Sequence, residues 1–264
     1  MEVALGKKII AGTNIAVSPL GLGTVKLGRN QQVKYPVGFK IPNDKEAKNL
    51  LDLAQALGIN LLDTAPAYGS SEERLGKLLG HSRKDWVICG KVGEEFESGE
   101  SHFDFSPKHI RFSVERTLKR LNSDYIDIIL VHSSGDDINI IQQFGCLDTL
   151  SALKKEGLIR ALGMSTKTIE GGIMALKQSD MVMVTYNLRD QSTKPILDYA
   201  KEHNKGILIK KAFASGYACL DGEDPVLASM KLVHSHPAIS SAVVGTINSV
   251  HLRQNVAAYK SASS

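Results

Sequence analysis

Strand-like apolar runs alternate with amphipathic helical segments along almost the whole chain. Eight such pairs follow one another, from a short apolar run at residues 20–23 to a helix at residues 249–258. Strands that are each followed by a helix pair in parallel, and the helices cover the sheet. Eight units in about 250 residues favour a closed barrel over an open doubly wound sheet. The sequence therefore predicts an α/β fold, a (β/α)8 TIM barrel.

Hydrophobic periodicity and the residues that begin or end helices set the expected bounds. Apolar residues recur at helical spacing across residues 44–57, and Gly58 ends that helix. Pro107 suits the first turn of a helix that ends near Leu121. The predicted strands are 20–23, 59–62, 86–89, 125–131, 159–164, 181–186, 207–209 and 242–244. The predicted helices are 44–57, 70 or 71 to 79, 107–121, a segment ending at 157, 169–177, 193–203, 225–234 and 249–258.

The segment before the first unit predicts a short N-terminal β-hairpin. It covers residues 8–17, has Gly12-Thr13-Asn14 in its middle, and is expected to cap one end of the barrel. No linker or low-complexity stretch divides the chain, so we expect residues 1–264 to form one domain. Hydrophobic residues at 42% and charged residues at 23% are typical of a folded globular protein.

Charge and apolar patterning limit the partners that the chain is expected to bind. The net charge of +4 is spread along the chain with no Lys/Arg run beyond two residues, so nucleic acid is not an expected partner. No apolar stretch approaches the roughly 18 residues of a membrane span, and the N-terminus lacks the apolar core of a signal peptide. Three scattered cysteines form no disulfide framework. We therefore expect a cytoplasmic protein with no membrane partner, while its oligomeric state stays open.

Polar residues follow several predicted strands, at the barrel end where enzymes of this fold keep their chemistry. Asp63 follows the second strand, and Tyr68 comes shortly after it. Lys91 follows the third strand and His132 the fourth. Singly, each has a structural explanation: a turn aspartate, a packed tyrosine, a surface lysine and a hydrogen-bonded histidine. Their joint placement at adjacent strand ends favours a catalytic site.

An acid, a phenol, an amine and an imidazole at one barrel mouth suit one kind of chemistry. A tuned phenol can protonate an oxygen that becomes negative as a carbonyl is reduced. We expect the Lys91 ammonium to lower the pKa of Tyr68, and Asp63 to keep that lysine charged. His132 is expected to orient the substrate oxygen by a hydrogen bond. The set contains no activated serine or cysteine nucleophile.

Three sequence motifs resemble those of the aldo/keto reductase superfamily. They are DTAPAYG at 63–69 followed by SEERLG at 71–76, LGLGT at 20–24, and VGTIN at 244–248 with Leu252 and Asn255. The resemblance covers nearly the whole chain in the right order. It implies a (β/α)8 barrel that binds NADPH in extended form without a Rossmann domain, and no third glycine completes a GxGxxG motif here. It also implies hydride transfer from nicotinamide C4 to the carbonyl carbon and a catalytic tetrad. The tetrad residues are Asp63, Tyr68 (the proton donor), Lys91 and His132.

The resemblance further implies a set of cofactor-binding residues. They are Gly23, Thr24, Ser165, Thr166, Asn187, Lys210, Lys211, Gly245, Thr246, Asn248, His251 and Asn255. The sequence departs from the family pattern at three places. Thr166 stands where an asparagine is usual, Met183 replaces a glutamine, and Lys210 or Lys211 replaces an aromatic residue. Methionine cannot form the carboxamide hydrogen bonds, so the nicotinamide has to be held differently.

NADPH is the expected cofactor, and NADH use stays open. Between residues 245 and 255, the only basic residues available to read a 2′-phosphate are His251 and Arg253. No metal site is predicted, because His234 and His236 fall at a helix end before Pro237.

Three loops are expected to shape the pocket for a small carbonyl substrate or its alcohol: residues 92–106, 133–142 and 212–224. The first holds phenylalanines for an apolar wall, and its glycines and acidic residues suggest mobility. Because the chain ends soon after its last helix, we expect an open site.

The sequence leaves three functions to compare. The first is an NAD(P)H-dependent reductase, reversible with the alcohol, for an aldehyde, ketone or sugar-like carbonyl. The second is a catalytically weak, NADPH-binding regulatory or accessory subunit of the same fold, suggested by the three departures in the cofactor residues. The third is an isomerase or aldolase that uses Lys91 as a Schiff base.

Overall fold

The computed structural model describes residues 4–216 and 224–263. Within them, eight parallel strands close into a barrel in which each strand pairs with the next barrel strand along the chain. The barrel strands are β3 (Leu20–Gly23), β4 (Leu61–Asp63), β5 (Val87–Val92), β8 (Ile126–His132), β9 (Ile159–Ser165), β10 (Met181–Thr185), β11 (Gly206–Lys210) and β12 (Ile239–Val244). The predicted (β/α)8 TIM barrel is confirmed.

Helices alternate with these strands and cover the barrel from outside. The helices are α1 (Val25–Gly28), α2 (Asp44–Ala56), α3 (Ser71–Leu79), α4 (Pro107–Leu121), α5 (Asp137–Phe144), α6 (Cys146–Lys155), α7 (Ile169–Gln178), α8 (Lys194–Glu202), α9 (Pro225–His234) and α10 (Ser249–Ser263). Local signals explain several ends. Asn43 and Glu46 form a reciprocal capping box at the start of α2. Asn122 adopts the left-handed conformation that ends α4.

The N-terminal hairpin closes one end of the barrel, as predicted. It pairs β1 (Lys8–Ile9) with β2 (Ala16–Val17) in antiparallel fashion. Ile10, Ile15 and Val17 are fully or almost fully buried and belong to the core inside the barrel, together with the first residues of β4, β5 and β10. The hairpin therefore lies at the end opposite to the carboxyl ends of the strands.

A second hairpin occupies most of the predicted loop 92–106. It pairs β6 (Glu94–Glu97) with β7 (Glu100–Phe103). Ser98 and Gly99 connect the two strands with φ values of 51° and 87°, which is the backbone of a tight two-residue hairpin turn. This loop therefore contains a β-hairpin, while its expected mobility stays a prediction.

The predicted loop 133–142 is also wrong in part, because α5 begins at Asp137. The Asp137 carboxylate is buried, and it accepts hydrogen bonds from the Lys167 and Thr168 backbone N–H groups at 2.8 and 2.7 Å. These bonds tie the start of α5 to the loop after β9. Of the third predicted loop, residues 217–223 lie outside the described residues.

The apolar core has two layers, one inside the barrel and one between the barrel and the helices. Within residues 4–216 and 224–263, no helix is long and apolar enough to cross a membrane. That residues 1–264 form one domain stays a prediction.

Candidate active site

Three neighbouring strands carry the predicted catalytic residues to one mouth of the barrel. β4, β5 and β8 are adjacent in the sheet. Asp63 is the last residue of β4, Lys91 is the last but one of β5, and His132 is the last of β8. The three residues therefore lie within their strands rather than after them, and the strand ends hold their backbones rigidly.

Tyr68 is held on a short turn that follows β4. The 3₁₀ turn Pro66–Tyr68 begins with a proline that presets the backbone, and Gly69 follows with φ of 61°. Gly28 packs so closely against this turn that a Cβ atom there would lie 2.3 Å from the Tyr68 carbonyl oxygen. The chain after β3 therefore fixes the turn that carries the phenol, and only glycine fits at residue 28.

Asp63 and Lys91 form a buried ion pair. The Lys91 Nζ donates to Asp63 Oδ1 and, at 2.9 Å, to the Thr64 carbonyl oxygen. The two residues are 4% and 1% exposed. Burial by itself lowers the pKa of Lys91, but the Asp63 carboxylate and the Tyr68 and Cys89 side chains outweigh it, and the net pKa lies above its ordinary value. Lys91 is therefore charged, as expected.

The Tyr68 phenol lies beside this pair. Its hydroxyl donates to Asp63 Oδ2 over 3.4 Å, and the Lys91 Nζ lies 4.8 Å from the centre of its ring. Burial and then Asp63 raise the pKa of Tyr68 above its ordinary value, although Lys91 acts in the expected, lowering direction. The expected net lowering is therefore wrong for this structure, because burial and the Asp63 carboxylate are the larger effects.

His132 faces Tyr68 and contacts an acidic residue that the sequence did not single out. The two rings lie edge to face with their centres 6.3 Å apart. The His132 Nδ1 lies 2.7 Å from Glu94 Oε2, without the alignment of a full hydrogen bond. Burial, together with the charges of Lys91 and Lys210, lowers the pKa of His132 and outweighs the rise caused by Glu94. Burial would raise the pKa of Glu94, but His132, Ser101 and Arg29 outweigh it and lower that pKa to about 2.

A cavity of about 940 Å³ opens between these residues and the ends of the other strands. Asp63, Tyr68 and His132 line it. Eight of the predicted cofactor-binding residues line it too. These are Gly23, Thr166, Lys210, Lys211, Gly245, Thr246, His251 and Asn255. The cavity therefore brings the predicted catalytic side of the site and most of the predicted cofactor side together.

Four predicted cofactor-binding residues are not at the described cavity wall. The Thr24 hydroxyl donates to the Asp63 carbonyl oxygen at 2.9 Å, so it stabilises the end of β4. Asn187 donates to the Lys211 carbonyl oxygen at 3.1 Å, and Asn248 accepts from the Val250 N–H at the start of α10. Ser165 is buried and accepts from Lys210. Thr24, Asn187 and Ser165 therefore hold the wall residues Asp63, Lys211 and Lys210 in place.

The segment between α1 and α2 covers part of the cavity, and the sequence reading missed it. Arg29 and Tyr35 of this segment line the cavity, together with Lys26 of α1. A Cβ atom on Gly245 would lie 3.1 Å from the Tyr35 hydroxyl, so this segment reaches across to the loop after β12. Burial, followed by Asp63, raises the pKa of Tyr35 to about 12. The only sequence signal for such a cover is the length of the segment between the first strand and α2.

Positive charge dominates the cavity wall. Among the described lining residues, six lysine or arginine side chains accompany three carboxylates. The carboxylates belong to Asp63, Glu94 and Asp190. Such a wall attracts an anion. The Thr166 hydroxyl oxygen is buried at this wall with no hydrogen-bond partner among the described residues, so it can pair with a polar group of a ligand.

The family model for the aldo/keto reductase family matches residues 19–220. The chain belongs to the aldo/keto reductase family. A protein from Pseudomonas aeruginosa that is assigned to these reductases has a solved structure with 53% sequence identity and a TM-score of 0.90. The match covers 98% of this chain and 96% of that one.

Two curated relatives extend the comparison for this aldo/keto reductase. The oxidoreductase YqkF of Bacillus subtilis is 27% identical, over 96% of this chain and 90% of its own length. The NADH-specific methylglyoxal reductase of Escherichia coli is 31% identical, over 70% of this chain and 60% of its own length. Family and relatives together support a nicotinamide-dependent oxidoreductase.

Other candidates from the sequence lie outside this site. The His234 ring packs edge-on against Tyr259, whereas the His236 Nε2 lies 3.1 Å from Asp198 Oδ1, so the two histidines face different partners. Among the described residues, no group of three metal-ligating side chains converges. Cys89 is buried in the barrel core, and burial raises its pKa, which is typical of an unreactive thiol.

Proposed function

We propose that this protein is a reductase for small carbonyl compounds, with Tyr68 as the acid. The substrate is an aldehyde, a ketone or a sugar-like carbonyl, and the reaction is reversible with the alcohol. The observation that carries the proposal is the cluster of Asp63, Tyr68 and His132 on the wall of one cavity, with Lys91 buried against Asp63. None of the four is a nucleophile activated for acyl transfer, whereas together they suit protonation of a carbonyl oxygen.

Each of the four residues has a distinct role in the proposed reaction. The Tyr68 hydroxyl gives its proton to the substrate oxygen as negative charge develops there. The Lys91 ammonium, held by Asp63, stabilises the phenolate that this transfer leaves behind, because a nearby positive charge favours the ionised form. His132 lies opposite the Tyr68 ring and orients the substrate oxygen between the two. The alcohol product leaves with the proton, and solvent reprotonates Tyr68.

The cavity fits a nicotinamide dinucleotide, which supplies the hydride when bound. Its volume lies at the upper end of the range of about 300–1,000 Å³ for ligand pockets. The basic wall suits the phosphates, and the unpartnered Thr166 hydroxyl suits a polar group such as the carboxamide. Gly23, Gly245, Thr246, His251 and Asn255 would hold the remainder. We propose NADPH as the cofactor, with NADH as the alternative to be tested.

The test is the Tyr68→Phe variant, assayed with NADPH and NADH against a panel of aldehydes, ketones and aldoses. General acid catalysis contributes about a hundredfold to ten-thousandfold, so we expect a fall in kcat of that size with cofactor binding retained. Tyr125→Phe is the matched control, because Tyr125 precedes β8 at the opposite end of the barrel. Reduction by Tyr68→Phe at a near wild-type rate would overturn the acid role.

A regulatory or accessory subunit is the second candidate. Met183 and Lys210 stand where the family commonly has a glutamine and an aromatic residue, and these departures in the cofactor-binding residues favour a protein that binds the cofactor without turnover. Tight NADPH binding by the wild-type protein together with no turnover across the whole panel would favour this candidate. The Schiff-base alternative is disfavoured, because Lys91 is ion-paired and charged, and an imine requires a neutral amine.

A further inference from the structure

Lys210 occupies an unusual position at the end of β11. Its Nζ donates to the Ser165 hydroxyl at 2.8 Å and to the Thr166 carbonyl oxygen at 2.9 Å. Both partners are uncharged, and among the described residues no carboxylate forms an ion pair with it. The half-buried side chain lines the same cavity as Tyr68 and His132. A cation without a counterion is thus fixed in the wall of the site.

The charges around Lys210 are mostly positive as well. Lys91 on β5, Lys167 after β9 and Lys211 repel it, and Asp137 on α5 attracts it. Burial is the largest influence, and together with these neighbours it lowers the pKa of Lys210 to about 7. Lys210 in turn lowers the pKa of His132. Its charge therefore reaches the part of the cavity where the Tyr68 and His132 rings face each other.

We infer that Lys210 makes the site bind the reduced nicotinamide cofactor more tightly than the oxidised one. The inference rests on the proposed function. For a hydride to reach a carbon whose oxygen is protonated by Tyr68, the nicotinamide ring has to lie beside Tyr68 and His132, within reach of the Lys210 charge. The reduced ring is neutral and the oxidised ring carries one positive charge. A fixed ammonium in a poorly solvated cavity therefore repels the oxidised ring selectively.

This selectivity has a consequence for how the enzyme works. When both forms of the cofactor are present, the site fills with the reduced form, which commits the enzyme to reduction. When the hydride has left, a positive charge appears on the ring beside Lys210, and its repulsion speeds release of the oxidised cofactor. Because binding and protonation are linked, the oxidised form also drives the proton off Lys210.

The experiment measures the ratio of dissociation constants for the oxidised and reduced cofactor. NADP⁺ and NADPH, and separately NAD⁺ and NADH, are titrated calorimetrically against wild type and Lys210→Met at pH 6 and pH 8.5. Contacts that both forms of the cofactor share contribute equally to the two dissociation constants, so they do not affect the ratio. At pH 6, where Lys210 is protonated, we expect the wild-type ratio to exceed that of Lys210→Met by about tenfold or more. At pH 8.5 the wild-type ratio should fall toward that of the variant.

Two further variants distinguish the effect of the Lys210 charge from the effect of the overall positive charge of the protein. Lys210→Arg keeps the positive charge, so it should keep the discrimination at both pH values. Lys205→Met removes the same charge from the segment just before β11, where the Lys205 Nζ donates to the Ser179 carbonyl oxygen at 2.7 Å, and should leave the ratio unchanged. An unchanged ratio in Lys210→Met, or an equal change in Lys205→Met, would overturn the inference while leaving the proposed function intact. Absence of binding of every nicotinamide form to the wild type would overturn both.

Discussion

At the scale of single residues, the Asp63–Lys91 ion pair belongs to the candidate active site and also stabilises the fold. Both side chains are almost fully buried, so loss of one partner leaves an uncompensated charge in the barrel mouth. Breaking a buried ion pair in this way costs about 3–5 kcal/mol. We therefore expect Asp63→Asn to lower the free energy of unfolding by that amount, measured by urea denaturation.

The double variant Asp63→Asn with Lys91→Met is the control for this prediction. It removes the unpaired ammonium together with its former partner, and we expect it to recover most of the lost stability. If the double variant is as unstable as Asp63→Asn alone, the stability loss has another cause than the unpaired lysine.

The raised pKa of Tyr68 predicts that the phenol stays protonated in alkaline solution. Burial and the Asp63 carboxylate both disfavour the phenolate, so deprotonation requires a pH above the ordinary value for tyrosine of about 10. Ultraviolet absorbance of tyrosinate should therefore rise identically in wild type and Tyr68→Phe up to about pH 10. A smaller rise of tyrosinate absorbance in Tyr68→Phe below that pH would show that Lys91 has the larger influence on the pKa of Tyr68 and lowers it.

Residues at strand ends could be predicted from the sequence, whereas those brought in by loops could not. Asp63, Lys91 and His132 lie at the carboxyl ends of neighbouring strands, so their convergence at one mouth of the barrel follows from the fold. Glu94, Arg29 and Tyr35 reach the same cavity through tertiary packing of connecting segments. No local periodicity encodes that placement, so the sequence reading missed them.

At the scale of elements, the hairpin of β6 and β7 shows where hydrophobic patterning fails. Its strands are largely exposed and rich in acidic residues, so they lack the apolar alternation by which strands are recognised. The Ser98-Gly99 dipeptide is the remaining sequence signal for this hairpin, because such a pair is typical of a tight turn. Both residues adopt positive φ in the structure. The hairpin matters for function because it carries Glu94 to His132, and Arg29 stacks on Phe96 of the same hairpin with 3.3 Å to the ring centre.

Glu94 raises the pKa of His132, whereas burial, Lys91 and Lys210 lower it. We therefore expect Glu94→Gln to move the pKa of His132 further below its wild-type value, which already lies under 6.5. The shift is measured by NMR titration of the histidine ring resonances. Glu95→Gln is the matched control, because the Glu95 carboxylate contacts Arg116 and His109 instead. An equal shift in both variants, or a rise in Glu94→Gln, would contradict a direct interaction with His132.

At the scale of the whole molecule, one end of the barrel is closed by packed side chains that stabilise the fold, and the other end holds the candidate active site. The N-terminal hairpin fills one end with Ile10, Ile15 and Val17. The candidate active site lies at the other end, where the carboxyl ends of the strands meet, as in other barrels of this kind. The packed interior of the barrel lies between the two ends. A defect at the hairpin should therefore weaken the fold without altering the geometry of the site.

Ile15→Ala tests this separation directly. Ile15 is 1% exposed within the interior core, so its truncation leaves a cavity and should lower the free energy of unfolding by about 2–5 kcal/mol. Ile9, in the same hairpin, is 64% exposed, and Ile9→Ala should change stability by less than about 0.5 kcal/mol. Well below the melting temperature, both variants should bind NADPH with wild-type affinity, because the cavity wall takes no residue from the hairpin. Weaker NADPH binding by folded Ile15→Ala would show that packing at the closed end is transmitted through the barrel to the site.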